Sequence, residues 1–343
     1  MDKKDILSLS LVQLEEEILL IGEKKFRAKQ IFNWLHQKKV TSFDDMQNIP
    51  KDLRTKLNHN FKIYHLEAER TLKSKIDGTV KYLYRLEDGN HVETVLMDYS
   101  YGTSICVSTQ VGCKMGCKFC ASTIAGFRRN LEPSEILLQI YESERNSGKK
   151  ISSVVLMGIG EPLDNFDNVL KFLELISSPE GNGLSLRHVT ISTCGIVPKI
   201  KELAELKLGL TLAISLHASD NKSRSETMPI NNRYHIEELI SACKGYVSKT
   251  GRRITFEYAL IDGVNSSHED AKKLASLIRG INCHVNLIPV NKVAERNYST
   301  HMKTVQSFKD SLDKLGINAT IRRTLGSDIN ASCGQLRRNA ENI

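Results

Sequence analysis

Apolar residues recur at helical spacing in LVQLEEEILLIG and again in FRAKQIFNWLHQKKV, and a third run, DLRTKLNHNF, follows the turn TSFDDMQNIP. Residues 1–73 are therefore expected to form a small, mildly basic helical domain. From Lys75 the period falls to two. KIDGTVKYLYRL and HVETVLM flank Glu87, Asp88, Gly89 and Asn90, which predicts a β-hairpin connector over 74–100.

Beyond Tyr101 short β-rich runs alternate with amphipathic helical segments. Strands are expected at Ser104–Ser108, Ser153–Met157, His188–Ser192, Thr211–Leu216, Arg253–Leu260 and His284–Pro289. The helices between them are expected to begin at Pro133, Phe166, Val197, Tyr234, Ser267 and His301, and a short run, Ala319–Arg322, ends the regular pattern. Six strand–helix units make an α/β fold, either a partial barrel or an open parallel sheet, spanning 101–343. In such folds the chemistry belongs at the C-terminal ends of the strands.

Composition narrows the class. A chain of 343 residues, 40% hydrophobic, fills a sizeable core, which excludes a disordered chain or a disulfide-stapled miniprotein. The formal charge, 48 basic minus 40 acidic residues, is +8 and favours a polyanionic partner. The opening MDKKDILSLS has no apolar core of a secretion signal, and no run approaches the roughly 18 apolar residues that span a bilayer. A cytoplasmic protein without membrane contact is expected.

Three of the eight cysteines crowd into QVGCKMGCKFCAS, directly after the first barrel-like strand. Cys113, Cys117 and Cys120 form a C-x3-C-x2-C set, one ligand short of a closed four-cysteine site, and no histidine lies within the loop. An iron-sulfur cube so held keeps one iron open to a ligand. Structural zinc with a distant fourth ligand, or three buried cysteines, are the plainer readings. After the second strand, LMGIGEPLDN places Gly158, Gly160 and Glu161 at the rim, where close backbone approach and a carboxylate suit an ammonium-bearing ligand. Later strand ends present Ser192, Ser215, His217 and Asn291, each equally able to cap a turn. Cys106, Cys333 and Glu93 read by position alone as packing or surface residues, and Cys194, Cys243 and Cys283 as ordinary core. The basic segments 148–150, 251–253, 322–323 and 337–338 are candidate phosphate contacts.

The cysteine loop resembles the signature of the radical S-adenosylmethionine enzymes, in which the open iron of a 4Fe-4S cluster binds the amino and carboxylate groups of S-adenosylmethionine. With VET at 92–94, CVSTQVGCKMGCKFCAS at 106–122, MGIGEPLDN at 157–165, ISTCGIVP at 191–198, ISLHA at 214–218, MPIN at 228–231, NLIPVN at 286–291 and IRRTLGSDINASCGQL at 321–336, nearly the whole chain is similar to the bacterial dual-specificity RNA adenine-C2 methyltransferases. That resemblance implies a helical accessory domain on a six-unit partial barrel, acting on adenine 2503 of 23S rRNA and adenine 37 of some tRNAs. It implies Cys113, Cys117 and Cys120 as cluster ligands and Gly160, Glu161, Ser192, Ser215, Leu216, His217 and Asn291 around S-adenosylmethionine, two of which are consumed per methylation. It further implies Cys333 as methyl carrier, Cys106 as the thiol that resolves the protein–RNA adduct through a disulfide, and Glu93 as proton acceptor. A low-potential electron donor and a monomer are expected. The related adenine-C8 methyltransferase and a noncatalytic, metal-containing RNA-binding module are the alternatives; GEPLDN and RRTLG favour the C2 family.

Overall fold

The structure, a computed structural model, describes residues 3–291, 293, 295 and 297–337. The front of the chain folds as β1 (Lys4–Asp5), α1 (Leu11–Leu20), α2 (Phe26–His36), α3 (Lys51–Asn60) and β2 (Phe61–Lys62), with β1 and β2 paired in parallel. Ser10 caps α1 reciprocally with Gln13, satisfying two otherwise orphaned amides. The helical run ends at Asn60, not near residue 73. Glu67–Lys73 is a strand, β3, whose EAERTLK sequence shows no two-residue alternation because it is an edge strand with both faces largely in solvent.

The hairpin forms from β4 (Val80–Arg85) and β5 (His91–Tyr99), and β5 continues antiparallel into β6 (Gly102–Cys106). A two-stranded ribbon, β7 (Gln110–Val111) and β8 (Arg129–Asn130), precedes α4 (Pro133–Ser147). The alternating part then runs β9 (Ile151–Leu156), α5 (Phe166–Ser177), β10 (Val189–Thr193), α6 (Val197–Leu206), β11 (Thr211–Ser215), α7 (Asn221–Thr227), α8 (Ile236–Thr250), β12 (Ile254–Leu260), α9 (His268–Ile278), β13 (Cys283–Pro289), α10 (Met302–Lys314) and β14 (Ala319–Ile321). Each expected strand is present within two residues of its ends. The expected helix starts Ser267 and His301 are the caps of α9 and α10, and α8 starts two residues beyond Tyr234. The helix α7 has no counterpart in the sequence reading, because NKSRSET carries no apolar stripe.

Ten strands share one sheet in the order β14-β13-β12-β11-β10-β9-β6-β5-β4-β3. β6 and β9 through β14 are parallel and follow one another in the sheet in chain order, the arrangement of successive βα units, with the antiparallel meander β3–β6 extending one edge. Among the described residues no ladder joins β14 to β6, and β14 is an edge of the sheet. One apolar core runs from Ile6 and Phe32 through Tyr141 and Phe172 to Phe308. The helical unit is thus packed on the sheet domain rather than tethered to it.

Candidate active site

The loops leaving the C-terminal ends of β6, β9, β10 and β11 converge on one rim. In the first of them, Gly112 has φ +76°, and a Cβ there would lie 1.7 Å from Gly126 O, so glycine alone lets the loop fold against the residues leading into β8. Lys118 N–H donates to Thr227 O at 2.9 Å and Ala121 N–H to Gly334 O at 2.8 Å. The loop is thereby fastened to the end of α7 on one side and to the C-terminal segment on the other.

Cys113, Cys117 and Cys120 line a cavity of about 840 Å³, counting the space at its mouth, together with Met115 and Phe119. Burial pushes the Cys113 thiol up to about 12 and Cys117 well above the ordinary thiol range. A cation must displace those protons before the sulfurs act as ligands. Among the described residues no three Cys, His, Asp or Glu side chains gather closely enough to chelate one ion. Three thiols spread around a cavity instead suit a polynuclear cluster, each sulfur reaching its own iron.

Gly158, Gly160, Glu161, Ser192, Ser215 and His217 line the same cavity. Gly160 has φ +108°, and a Cβ would meet Gln110 at 2.6 Å. The buried Glu161 accepts from Cys194 N–H at 2.7 Å and Leu163 N–H at 3.0 Å; desolvation nevertheless raises its pKa. His217 Nδ1 accepts from Ala259 N–H at 2.9 Å, which leaves the ring proton on Nε2, and burial lowers its pKa to about 3. It is a neutral donor near pH 7. Phe119 packs edge-on against that ring at 4.9 Å.

A second cavity, of about 570 Å³, is lined by Val95, Met97, Cys106, Asn291 and Ser332 among others. Cys333, Met157 and Arg322 line both cavities, so Cys333 stands in the partition between them. Asn291 Nδ2 donates to Cys333 O at 2.9 Å. Burial pushes the Cys106 thiol up to about 12; Cys333 nearby adds to the rise and the Arg322 guanidinium opposes it. Cys106 and Cys333 are both reduced, so the disulfide implied for them is not formed in this structure.

Four of the site residues expected from the sequence do not line the larger cavity. Cys106 and Asn291 line the second. Leu216 is wholly buried, and its carbonyl accepts from Arg224 Nε at 3.1 Å. Glu93 lines neither cavity; it is fully buried and ion-paired with Lys81 at 2.9 Å.

Sequence reading missed others. Arg322, read there as a phosphate contact, is instead in the partition, with Nη1 3.5 Å from Glu257 Oε2 and 3.5 Å from Met157 Sδ. Glu257 accepts from Asn286 Nδ2 at 3.0 Å, and its signal was a lone acid inside the apolar strand ITFEYAL. Arg224 is fully buried, donating to Cys194 O at 2.7 Å, Ser215 O at 3.2 Å and Asn231 Oδ1 at 3.1 Å, and among the described residues no carboxylate pairs with it. Of the remaining basic segments, Lys149 pairs with Asp98 and Arg337 with Glu295, while Arg338 lies outside the described residues.

Comparison with known proteins places these features in context. Residues 4–63 match the ribosomal RNA large subunit methyltransferase N-terminal domain, and residues 107–275 match the radical SAM superfamily. A probable dual-specificity RNA methyltransferase from Clostridium botulinum is 55% identical, covering 98% of this chain and 96% of the relative. One from Clostridioides difficile is 52% identical, covering 98% and 99%. The crystal structure of a radical SAM methyltransferase from Sphaerobacter thermophilus superposes with a TM-score of 0.93 at 41% identity, covering 97% of this chain and 99% of that one.

Proposed function

Since the chain belongs to the dual-specificity RNA methyltransferases of the radical SAM superfamily, we propose that it methylates C2 of adenine 2503 in 23S rRNA and C2 of adenine 37 in tRNAs through a covalent bond between Cys333 and the RNA. The enzyme uses a 4Fe-4S cluster and S-adenosylmethionine. Bound together, they supply the methyl group and a 5′-deoxyadenosyl radical. The observation that carries the proposal is the position of Cys333, a single residue lining both the cysteine-lined cavity and the cavity of Cys106.

Cys113, Cys117 and Cys120 hold the cluster. Gly160, Glu161, Ser192, Ser215 and His217 form the wall for S-adenosylmethionine, with Leu216 supporting that wall through its main chain and Asn291 holding the carbonyl of Cys333. Adenine C2 is electron-poor and has no lone pair with which to attack a sulfonium methyl, so the carbon is carried on Cys333 Sγ and joined to C2 there. The joined adduct gives up the C2 proton and one electron, for which the oxidised cluster would be the acceptor; the Cys106 thiolate then attacks Cys333 Sγ, the S–S bond forms as the Sγ–CH2 bond breaks, and the departing carbon takes a proton to leave the methylated base. Val95, Met97 and Leu336 give the second cavity an apolar side next to these thiols. The target adenine must leave its stack to enter the rim.

The helical unit ending at Asn60 supplies RNA-binding surface, the antiparallel meander from Glu67 to Tyr99 joins it to the catalytic domain at 101–343, and the +8 charge favours that partner. Among the described residues no helix is long and apolar enough to cross a membrane. We assign a cytoplasmic location, a monomeric state and a low-potential electron donor to complete the cycle. Anaerobic incubation with RNA followed by denaturing electrophoresis tests the thiol assignments: Cys106→Ala accumulates a shifted protein–RNA species and Cys333→Ala gives none. A Cys106→Ala protein that retains its cluster and forms no shifted species overturns them.

A further inference from the structure

Lys81 and Glu93 form an ion pair in the interior of the β4–β5 hairpin, with side-chain exposures of 3% and 0%. Such a pair is a poor stability device, because desolvating two charges offsets their attraction and a well-packed apolar pair often serves as well. Its other bonds show what it holds. Lys81 Nζ also donates to Asn330 O at 3.2 Å, and Glu93 Oε2 accepts from Arg337 N–H at 2.6 Å. Both contacts reach the C-terminal segment, one three residues before Cys333 and the other four residues after it.

The same segment is fastened elsewhere at its start and middle. Gly326 N–H donates to Asp77 Oδ2 and Lys75 N–H to Asp328 Oδ2, each at 2.9 Å, so the β3–β4 turn fixes its entry. Ser122 Oγ donates to Leu336 O at 2.9 Å and so joins it to the cysteine loop. The Lys81–Glu93 pair grips both flanks of Cys333 from a single point. Glu93 Oε2 is held by Arg337 N–H, Oε1 lies 2.9 Å from Lys81 Nζ, and the side chain lines neither cavity.

We propose that Lys81 and Glu93 are positioning residues, a buried clamp that holds the Cys333 loop in the partition between the two cavities. Glu93 then acts through the main chain of the segment. The inference rests on Cys333 being the methyl carrier only for its catalytic consequence; the clamp itself is measured without turnover.

The test is hydrogen exchange of residues 326–337 in the anaerobic holoenzyme without RNA, with the amides of β9–β13 as internal control. The double variant Lys81→Met, Glu93→Leu leaves no uncompensated buried charge and keeps the chain folded where single variants fail. Its segment is expected to exchange at least about tenfold faster with the control strands unchanged. Lys81→Met with Glu93→Gln keeps an acceptor for Arg337 N–H, and its exchange should fall between that variant and the parent. Reductive S-adenosylmethionine cleavage without RNA should persist in both, while formation of S-methylcysteine at Cys333, read by peptide mass spectrometry, falls at least about tenfold in the first. Parental exchange in the apolar double variant overturns the clamp, and parental exchange with lost RNA product returns Glu93 to a chemical role. Faster exchange in a series whose parent never methylates Cys333 leaves the clamp standing and refutes the methyl-carrier reading instead.

Discussion

A thiol displaced to about 12 is nearly all protonated at pH 7, and Cys106 is such a thiol because the protein around it solvates a thiolate poorly. The thiolate fraction below the pKa rises tenfold per pH unit, so decay of the Cys333–RNA adduct should accelerate about tenfold per unit between pH 7 and 9. Adduct isolated at low pH and chased anaerobically on denaturing gels measures this. A flat profile contradicts a rate-limiting Cys106 thiolate. Arg322→Gln should slow the decay further at each pH, since the guanidinium favours the charged form. The cysteine loop was legible because Cys113, Cys117 and Cys120 stand within eight positions and their spacing is itself the chemistry. Arg322, Glu257 and Arg224 were not, because each acquires its role from strands and loops distant in sequence, and NKSRSET or IRRTLG alone reads as polar surface.

At the scale of elements, the parallel strands were readable because strands covered by helices carry continuous β-rich runs, as in ISSVVL and TLAIS. β3 and α7 were not readable: an exposed edge and a seven-residue polar helix carry no periodic signal. The seam between α2 and α4 holds a consequence of its own. His36 is fully buried there, 3.1 Å from the Tyr141 hydroxyl, with Lys39 and Glu144 paired beside it, and burial lowers the His36 pKa to about 3. An unfolded histidine titrates near 6.5, so between the two values the unfolded chain binds the extra proton. The stabilisation is complete above about pH 6.5 and is lost progressively as the pH falls toward 3. Melting temperatures from pH 7 to pH 4.5 should fall more steeply in the parent than in His36→Gln; equal slopes contradict the buried-neutral assignment. His217 adds a slope of the same sign to both proteins. Tyr141→Phe removes the hydroxyl partner and should destabilise by about 1–3 kcal/mol in urea unfolding.

Across the whole molecule, the shared core and the tied C-terminal segment make one body of what the sequence divides into a helical front, a hairpin and a barrel. The hairpin is more than a connector. Its buried face meets Cys106 on β6 and the segment carrying Cys333, so the two thiols implied for one reaction, 227 positions apart in the chain, line one cavity. Sequence resemblance supplied their pairing, and folding supplies the route by which it is realised. The central claim is that this arrangement delivers one carbon to C2 of adenine. Purified enzyme, reconstituted anaerobically and incubated with unmodified 23S rRNA fragments and tRNA, S-adenosylmethionine and a low-potential reductant, should yield RNA whose nucleoside digest contains 2-methyladenosine, identified by mass spectrometry against authentic 2-methyl and 8-methyl standards. Exclusive 8-methyladenosine, or no methylated adenosine from protein that cleaves S-adenosylmethionine, would contradict the account.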